Sequence, residues 1–170
     1  MHHSTGLEHI WLNDCVLSPE SLTLQQSKRH LLQPVMFPGS LTVMLSRVFE
    51  GNVQACPLIG SDLPVTPAER KVLELGDVDC TVREVELLVN GVARVYARTI
   101  LPRVGRVVEI ESWLKAHNGQ PLGKLIFDDS DTQSTIVGYG LSEAGVTRRR
   151  LIVYRNTPMC ITEYFLYSDS

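Results

Sequence analysis

Two arginines inside a predicted β-hairpin are the side chains of this sequence that most clearly need a partner. Asn90-Gly91 is the preferred dipeptide of a type I′ turn, and it joins β-like segments at 81–89 and 92–101. With a two-residue loop, Arg83 faces Arg98 directly across the strands. Two like charges there destabilise a sheet unless an anion lies between them, and a carboxylate fits the guanidinium fork. The pair predicts an anion-binding site; alternatively, one arginine reaches solvent and the other pairs with a structural Asp or Glu.

A single acidic side chain stands out in the last predicted strand. Glu163 shares one strand face with Ile161, Phe165 and Tyr167, and it is the only charged residue there. A carboxyl group among apolar neighbours tends to have a raised pKa and can then donate or accept a proton. The alternative is that Glu163 only neutralises a neighbouring arginine.

Other short motifs add no second kind of chemistry. Gly138-Tyr139-Gly140 lacks the third glycine and the βαβ context of a dinucleotide fingerprint. The four cysteines show no CxxC spacing, and no serine or cysteine lies in a nucleophile elbow. Arg148-Arg149-Arg150 is interpreted as the solvated start of a strand. We therefore expect a site that uses no metal and no cofactor.

These side chains must be positioned by strands that are mostly joined by hairpins. Thr66 to Glu69 has the pattern of a capping box with proline at the first helical position, and Gly76 is suited to end that helix. The pattern predicts an α+β fold, with one antiparallel sheet of about six strands and helices on one side, as a single domain over 1–170. The predicted strands are 52–59, 81–89, 92–101, 132–139, 149–154 and 159–167, and the predicted helices are 18–32, a short one opening at Ser40, 66–75, 109–116 and 121–127.

The composition limits the kinds of partner. The 170 residues carry a net charge of −3, so the overall field does not attract nucleic acid or an anionic membrane. No apolar stretch approaches the ~20 residues that span a bilayer, and the first residues lack the pattern of a secretory signal. We expect a cytoplasmic protein that binds a small molecule, as a monomer or a small homo-oligomer.

Four segments, in order, resemble the chorismate lyase family. The resemblance covers roughly Pro38 to the C-terminus, residues 1–35 show no match, and the segment 61–79 is longer than in compact members. The similar segments are Val82-Arg83-Glu84-Val85, Ala97-Arg98-Thr99-Ile100-Leu101-Pro102, Gln120-Pro121-Leu122-Gly123-Lys124-Leu125-Ile126-Phe127, and Arg148-Arg149-Arg150 followed by Thr162-Glu163-Tyr164-Phe165-Leu166.

The resemblance implies an enclosed site in which chorismate is split into 4-hydroxybenzoate, a quinone precursor, and pyruvate. It implies that Arg83 binds the ring carboxylate and that Glu163 contacts the hydroxyl end of the ring. Leu122 and Leu41 would contribute backbone hydrogen bonds near the carboxylate. Arg98, as the expected neighbour of Arg83, would have a supporting or second-carboxylate role.

Two other functions stay open at this point. One is a non-catalytic sensor of small aromatic acids, although the residues before the matched region are too few and insufficiently basic for a winged-helix DNA-binding domain. The other is a related lyase that makes a different hydroxybenzoate.

Overall fold

The computed structural model describes residues 16–17, 39–58, 64–142 and 145–166. The helix predicted over 18–32 lies outside these residues. The described elements are, in chain order, β1 (Val16–Leu17), α1 (Leu41–Val48), β2 (Val53–Pro57), α2 (Pro67–Leu73), β3 (Cys80–Val89), β4 (Val92–Pro102), α3 (Val107–Ala116), α4 (Gly123–Ile126), β5 (Gln133–Ser142), β6 (Gly145–Tyr154) and β7 (Thr157–Leu166).

The seven strands in the described residues form one antiparallel sheet in the order β1-β5-β6-β7-β4-β3-β2. Its first strand has only two residues. The predicted α+β class and single antiparallel sheet are confirmed. The three hairpins β3–β4, β5–β6 and β6–β7 place β4, β6 and β7 in the interior of the sheet, where backbone groups pair on both sides.

The β3–β4 hairpin begins as predicted and then changes register. Asn90 and Gly91 have φ of 52° and 78°, as a type I′ turn requires, and Val89 pairs with Val92. An irregularity between Leu87 and Leu88 then shifts the pairing by one residue. The shift pairs Arg83 with Thr99 and Glu84 with Arg98, so the predicted Arg83–Arg98 pair is wrong.

Helices cover both faces of the sheet, so the prediction that they lie on one side is corrected. On the first face, α3 and α4 pack their apolar side chains on the sheet around Leu101 and Ile161, and α1 packs around Leu87. On the second face, Leu73 of α2 packs against Ile100 and Cys160. None of the helices in the described part of the chain is long and apolar enough to cross a membrane.

The capping box of α2 is confirmed. The Thr66 hydroxyl accepts a hydrogen bond from the Glu69 amide, and the Glu69 carboxylate accepts one from the Thr66 amide. The helix ends at Leu73, earlier than the predicted Gly76, because Glu74 takes the left-handed conformation with φ of 54°. This short helix brings Glu69 over the middle of the second sheet face.

Candidate active site

The candidate site is a small cavity between the first sheet face and the helices α1 and α4. Side chains from four strands form its floor, and both helices and the turn before α4 form its roof. Its volume is about 40 Å³, above the ~10–15 Å³ that a cavity needs to hold one water molecule. Its lining consists of Leu41, Thr42, Arg83, Val85, Leu87, Ala97, Thr99, Pro121, Leu122, Gly123, Ile126, Phe127, Arg150, Ile161 and Glu163.

The strand register places Glu163 inside this cavity, between two arginines. Glu163 pairs directly with Arg148 of β6, and Arg150 lies two residues further on the same face. Arg148 Nε donates to Glu163 Oε2 at 2.6 Å, and Arg150 Nη2 donates to Glu163 Oε1. All three residues are at most 2% exposed. The structure therefore contains the contact of the alternative interpretation, in which Glu163 neutralises a neighbouring arginine.

This pairing reverses the expected ionisation of Glu163. Burial alone raises the pKa of the carboxyl group, but Arg148 and Arg150 outweigh that effect and hold the pKa below its ordinary value. The sequence-based expectation of a raised pKa is wrong. Glu163 is an anion near neutral pH, so it accepts hydrogen bonds and is not a proton donor.

The interpretation of Arg148-Arg149-Arg150 as a solvated strand start is also wrong. Arg148 is fully buried, and Arg150 joins three parts of the molecule. Its guanidinium group donates to Glu163, to the Ser134 hydroxyl and, at 2.9 Å, to the carbonyl oxygen of Gly39, just before α1. Arg150 thereby connects the floor of the cavity to the start of its roof. Alternation along β6 was the available signal, since two of three consecutive arginines must share a face.

Arg83 lines the cavity from the β3 side. Burial lowers the pKa of its guanidinium group from the ordinary value, yet arginine stays protonated in proteins. Among the residues that the structure describes, no carboxylate forms an ion pair with Arg83. Its charge is therefore available to an anion that enters the cavity.

Arg98 lies on the opposite face of the sheet and does not line the cavity. Its Nε donates to Glu69 Oε1 at 2.7 Å and its Nη1 to Glu84 Oε1 at 2.6 Å, and both carboxylates are buried. Arg98 lies on that face because the register shift pairs it with Glu84 and not with Arg83, and neighbouring residues of a strand point to opposite faces. Arg98 therefore does not lie beside Arg83, and the expected carboxylate-binding role next to Arg83 has no structural basis. Two glutamates of the protein neutralise Arg98 instead.

Leu41 and Leu122 bring the two roof helices to the cavity. Leu41 is the first residue of α1, whose N-cap Ser40 accepts a hydrogen bond from the Val43 amide. Leu122 immediately precedes α4, and both leucine side chains are buried. The helices approach closely, since a Cβ on Gly123 would lie 2.9 Å from Thr42 Oγ1. The backbone hydrogen bonds assigned to both leucines stay a prediction.

The charged groups of the site suit a small anionic ligand. Two guanidinium groups (Arg83 and Arg150) and one carboxylate (Glu163) line the cavity, and charges interact strongly in such low-dielectric surroundings. No three His, Cys, Asp or Glu side chains gather as a metal site in the described residues. Fold and cavity together define a protein with a small, charged cavity enclosed beneath two helices.

Comparison with known proteins identifies the family. The profile of the chorismate lyase family matches residues 12–170, which includes most of the segment 1–35 that our sequence analysis left unmatched. A probable chorismate pyruvate-lyase of Photobacterium profundum is 31% identical over 134 residues, covering 76% of this chain and 73% of that protein. A chorismate pyruvate-lyase of Erwinia tasmaniensis is 31% identical over 85 residues, covering 50% and 48%. The chain belongs to the chorismate lyase family, and it is a lyase.

Proposed function

We propose that this protein eliminates pyruvate from chorismate to give 4-hydroxybenzoate in the cavity beneath α1 and α4. The observation that carries the proposal is that Arg83 and Glu163 line one cavity, together with the guanidinium group of Arg150. Chorismate has two carboxylates, and Arg83 and Arg150 are two cations of the lining that carboxylates can contact. The matched relatives named above support the same substrate.

Arg83 binds the ring carboxylate in this proposal. The planar guanidinium fork fits a carboxylate with two parallel hydrogen bonds. Because Arg83 has no carboxylate partner among the described residues, the substrate does not have to displace one. Backbone groups at Leu41 and Leu122, on the two helices that close the cavity, complete the contacts of the carboxylate end.

Glu163 accepts a hydrogen bond from the ring hydroxyl at the other end of the cavity. Each oxygen of its carboxylate accepts one bond from an arginine and has a second lone-pair site free for the ligand. Arg148 and Arg150 hold the group in one orientation and keep it ionised. The ring is thus fixed between a cation at one end and an anion at the other.

Arg150 takes the second-carboxylate role that sequence analysis gave to Arg98. In the reaction the ring C–H bond at C4 and the ether C–O bond at C3 break, and the ring becomes aromatic. The departing enolpyruvyl group receives the hydrogen and leaves as pyruvate. Negative charge grows on that group as the C–O bond breaks, and a fixed guanidinium group in a buried site stabilises it.

The roof must open in each catalytic cycle. A cavity of about 40 Å³ does not hold a benzenoid ring, so α1 and α4 separate to admit the substrate and separate again to release the product. The proposal includes a cytoplasmic location, which the free thiols of Cys56, Cys80 and Cys160 fit.

The test is to incubate purified protein with chorismate, to follow pyruvate with a coupled dehydrogenase, and to identify the aromatic product by chromatography. We expect 4-hydroxybenzoate and pyruvate in equal amounts, and a large loss of turnover in Arg83→Ala and Glu163→Ala. Folding of each variant is checked by circular dichroism. Near-normal turnover in both variants refutes the residue roles. Binding of 4-hydroxybenzoate without turnover by the wild type indicates a sensor, and another isomer indicates a related lyase.

A further inference from the structure

Arg83 lines two spaces that follow one another along the same sheet face. Besides the cavity, it lines a surface groove between α3 and the edge of the sheet, which we call the outer groove. Further walls of the outer groove are Leu58, Thr81, Leu101, Arg103, Leu114 and Lys115. Arg83 is the residue that the two linings share within the described part of the chain.

The β3–β4 register shows that the two spaces lie in series. Thr81 pairs with Leu101 at the outer groove, Arg83 pairs with Thr99, and Val85 pairs with Ala97 in the cavity. Alternate residues of a strand share a face and are about 7 Å apart. Arg83 thus lies one such step from Thr81 in the outer groove and one step from Val85 in the cavity, where the two spaces meet.

The outer groove has the chemistry of a site for an aromatic acid. Arg83, Arg103 and Lys115 supply three positive charges. Of the two carboxylates in the lining, Glu111 lies close to Arg103 and Glu84 is paired with buried Arg98, so the lining stays positively charged. Apolar side chains lie between them, including Val108, which is 68% exposed. A positively charged groove on a chain of net charge −3 attracts anions to that place in particular.

We propose that the outer groove is the passage by which the aromatic carboxylate reaches and leaves the cavity. The acid binds there transiently with its carboxylate on Arg83, and it turns inward when α1 and α4 separate. The outer groove has a volume of about 680 Å³, whereas the cavity has about 40 Å³. Of these two spaces, the outer groove is the one with room for the ring while the roof is closed. The identity of the anion rests on the proposed function.

A charge reversal with a matched control tests the passage. The association rate of 4-hydroxybenzoate is measured by stopped-flow tryptophan fluorescence in wild type, Lys115→Glu and Lys71→Glu. Both variants change the net charge equally, but exposed Lys71 is on α2, on the other face of the sheet. We expect association about fivefold slower in Lys115→Glu at low ionic strength, with the difference disappearing in high salt. Lys71→Glu stays within about twofold of wild type. Equal effects of the two substitutions, or none, overturn the inference.

A larger side chain in the outer groove distinguishes a passage for the ligand from a site where the ligand only binds. Val108→Phe narrows the outer groove, so association and dissociation of 4-hydroxybenzoate should slow by the same factor and leave Kd unchanged. Val137→Phe on β5, at a valine that is 44% exposed, should change neither rate. A changed Kd with unchanged association in Val108→Phe overturns the inference, as does a wild type that binds no 4-hydroxybenzoate. Failure of the proposed function looks different, because the wild type would then bind this acid without releasing pyruvate from chorismate.

Discussion

Replacing Glu163 by glutamine tests the charge arrangement of the site most directly. The substitution keeps the size of the side chain and removes its negative charge. Arg148 and Arg150, both at most 2% exposed, lose the carboxylate that they share. The NH₂ group of the glutamine also replaces one acceptor oxygen, so that a hydrogen-bond donor faces an arginine donor.

The size of the effect follows from these contacts. Breaking a buried ion pair by removing one partner costs about 3–5 kcal/mol, and here one carboxylate serves two guanidinium groups. We expect Glu163→Gln to lower the free energy of unfolding by about that amount. Loss of a charged hydrogen bond to the ring hydroxyl, worth about 1.5–3 kcal/mol, lowers kcat/KM by about 10- to 150-fold.

Glu84→Gln is the matched control. It also removes a buried carboxylate, 2.6 Å from Arg98, but Arg98 keeps its contact with Glu69 and faces away from the cavity. We expect a smaller loss of stability, about 1–3 kcal/mol, and turnover within about twofold of wild type. Urea unfolding gives the stabilities, and pyruvate release below the unfolding range gives the activity. Full stability of Glu163→Gln, or equal inactivity of both variants, would refute the reasoning.

Three further predictions concern other groups of the molecule. Folding lowers the pKa of Glu163. Its ionised carboxylate therefore contributes fully to the free energy of unfolding above the ordinary glutamate pKa of about 4.3, and this contribution is lost as the pH falls through the lower folded pKa. Acid unfolding should show this loss in wild type and not in Glu163→Gln. Gly123→Ala should speed dissociation of 4-hydroxybenzoate several-fold by pushing α4 from Thr42 Oγ1, 2.9 Å from the new Cβ, and adding Thr42→Ala should restore the rate; stopped-flow fluorescence decides. Cys160, whose pKa burial raises to about 12, should resist iodoacetamide at pH 8 while exposed Cys56 reacts, as peptide mapping by mass spectrometry would show.

Local signals in the sequence predicted local structure well. The Asn90-Gly91 turn and the Thr66–Glu69 capping box depend on contacts between near neighbours, and both form. The alternation that isolated Glu163 on one strand face placed it inside the cavity. In each case the residues that determine the structure lie within a few positions of one another.

The errors came from register, which no single segment determines. Neither glycine nor proline marks the irregularity between Leu87 and Leu88, yet it moves Arg98 to the other face. The predicted strands left four residues, 155–158, between β6 and β7, whereas Arg155 and Asn156 alone form the turn, with φ of 45° and 61°. A non-glycine pair in that conformation is uncommon, so the partners of Glu163 could not be counted from the turn.

The position of Arg98 between two carboxylates on one face of the sheet disfavours one misassembled form of the fold. If β4 paired one position out of step during folding, its faces would exchange, and Arg98 would enter the cavity beside Arg83, Arg148 and Arg150. Arg98 would then be buried close to other cations, while Glu69 and Glu84 would repel each other without the Arg98 guanidinium group between them. Mutual repulsion thus disfavours the misaligned chain on both sides of the sheet at once, a selectivity that apolar side chains alone would not provide.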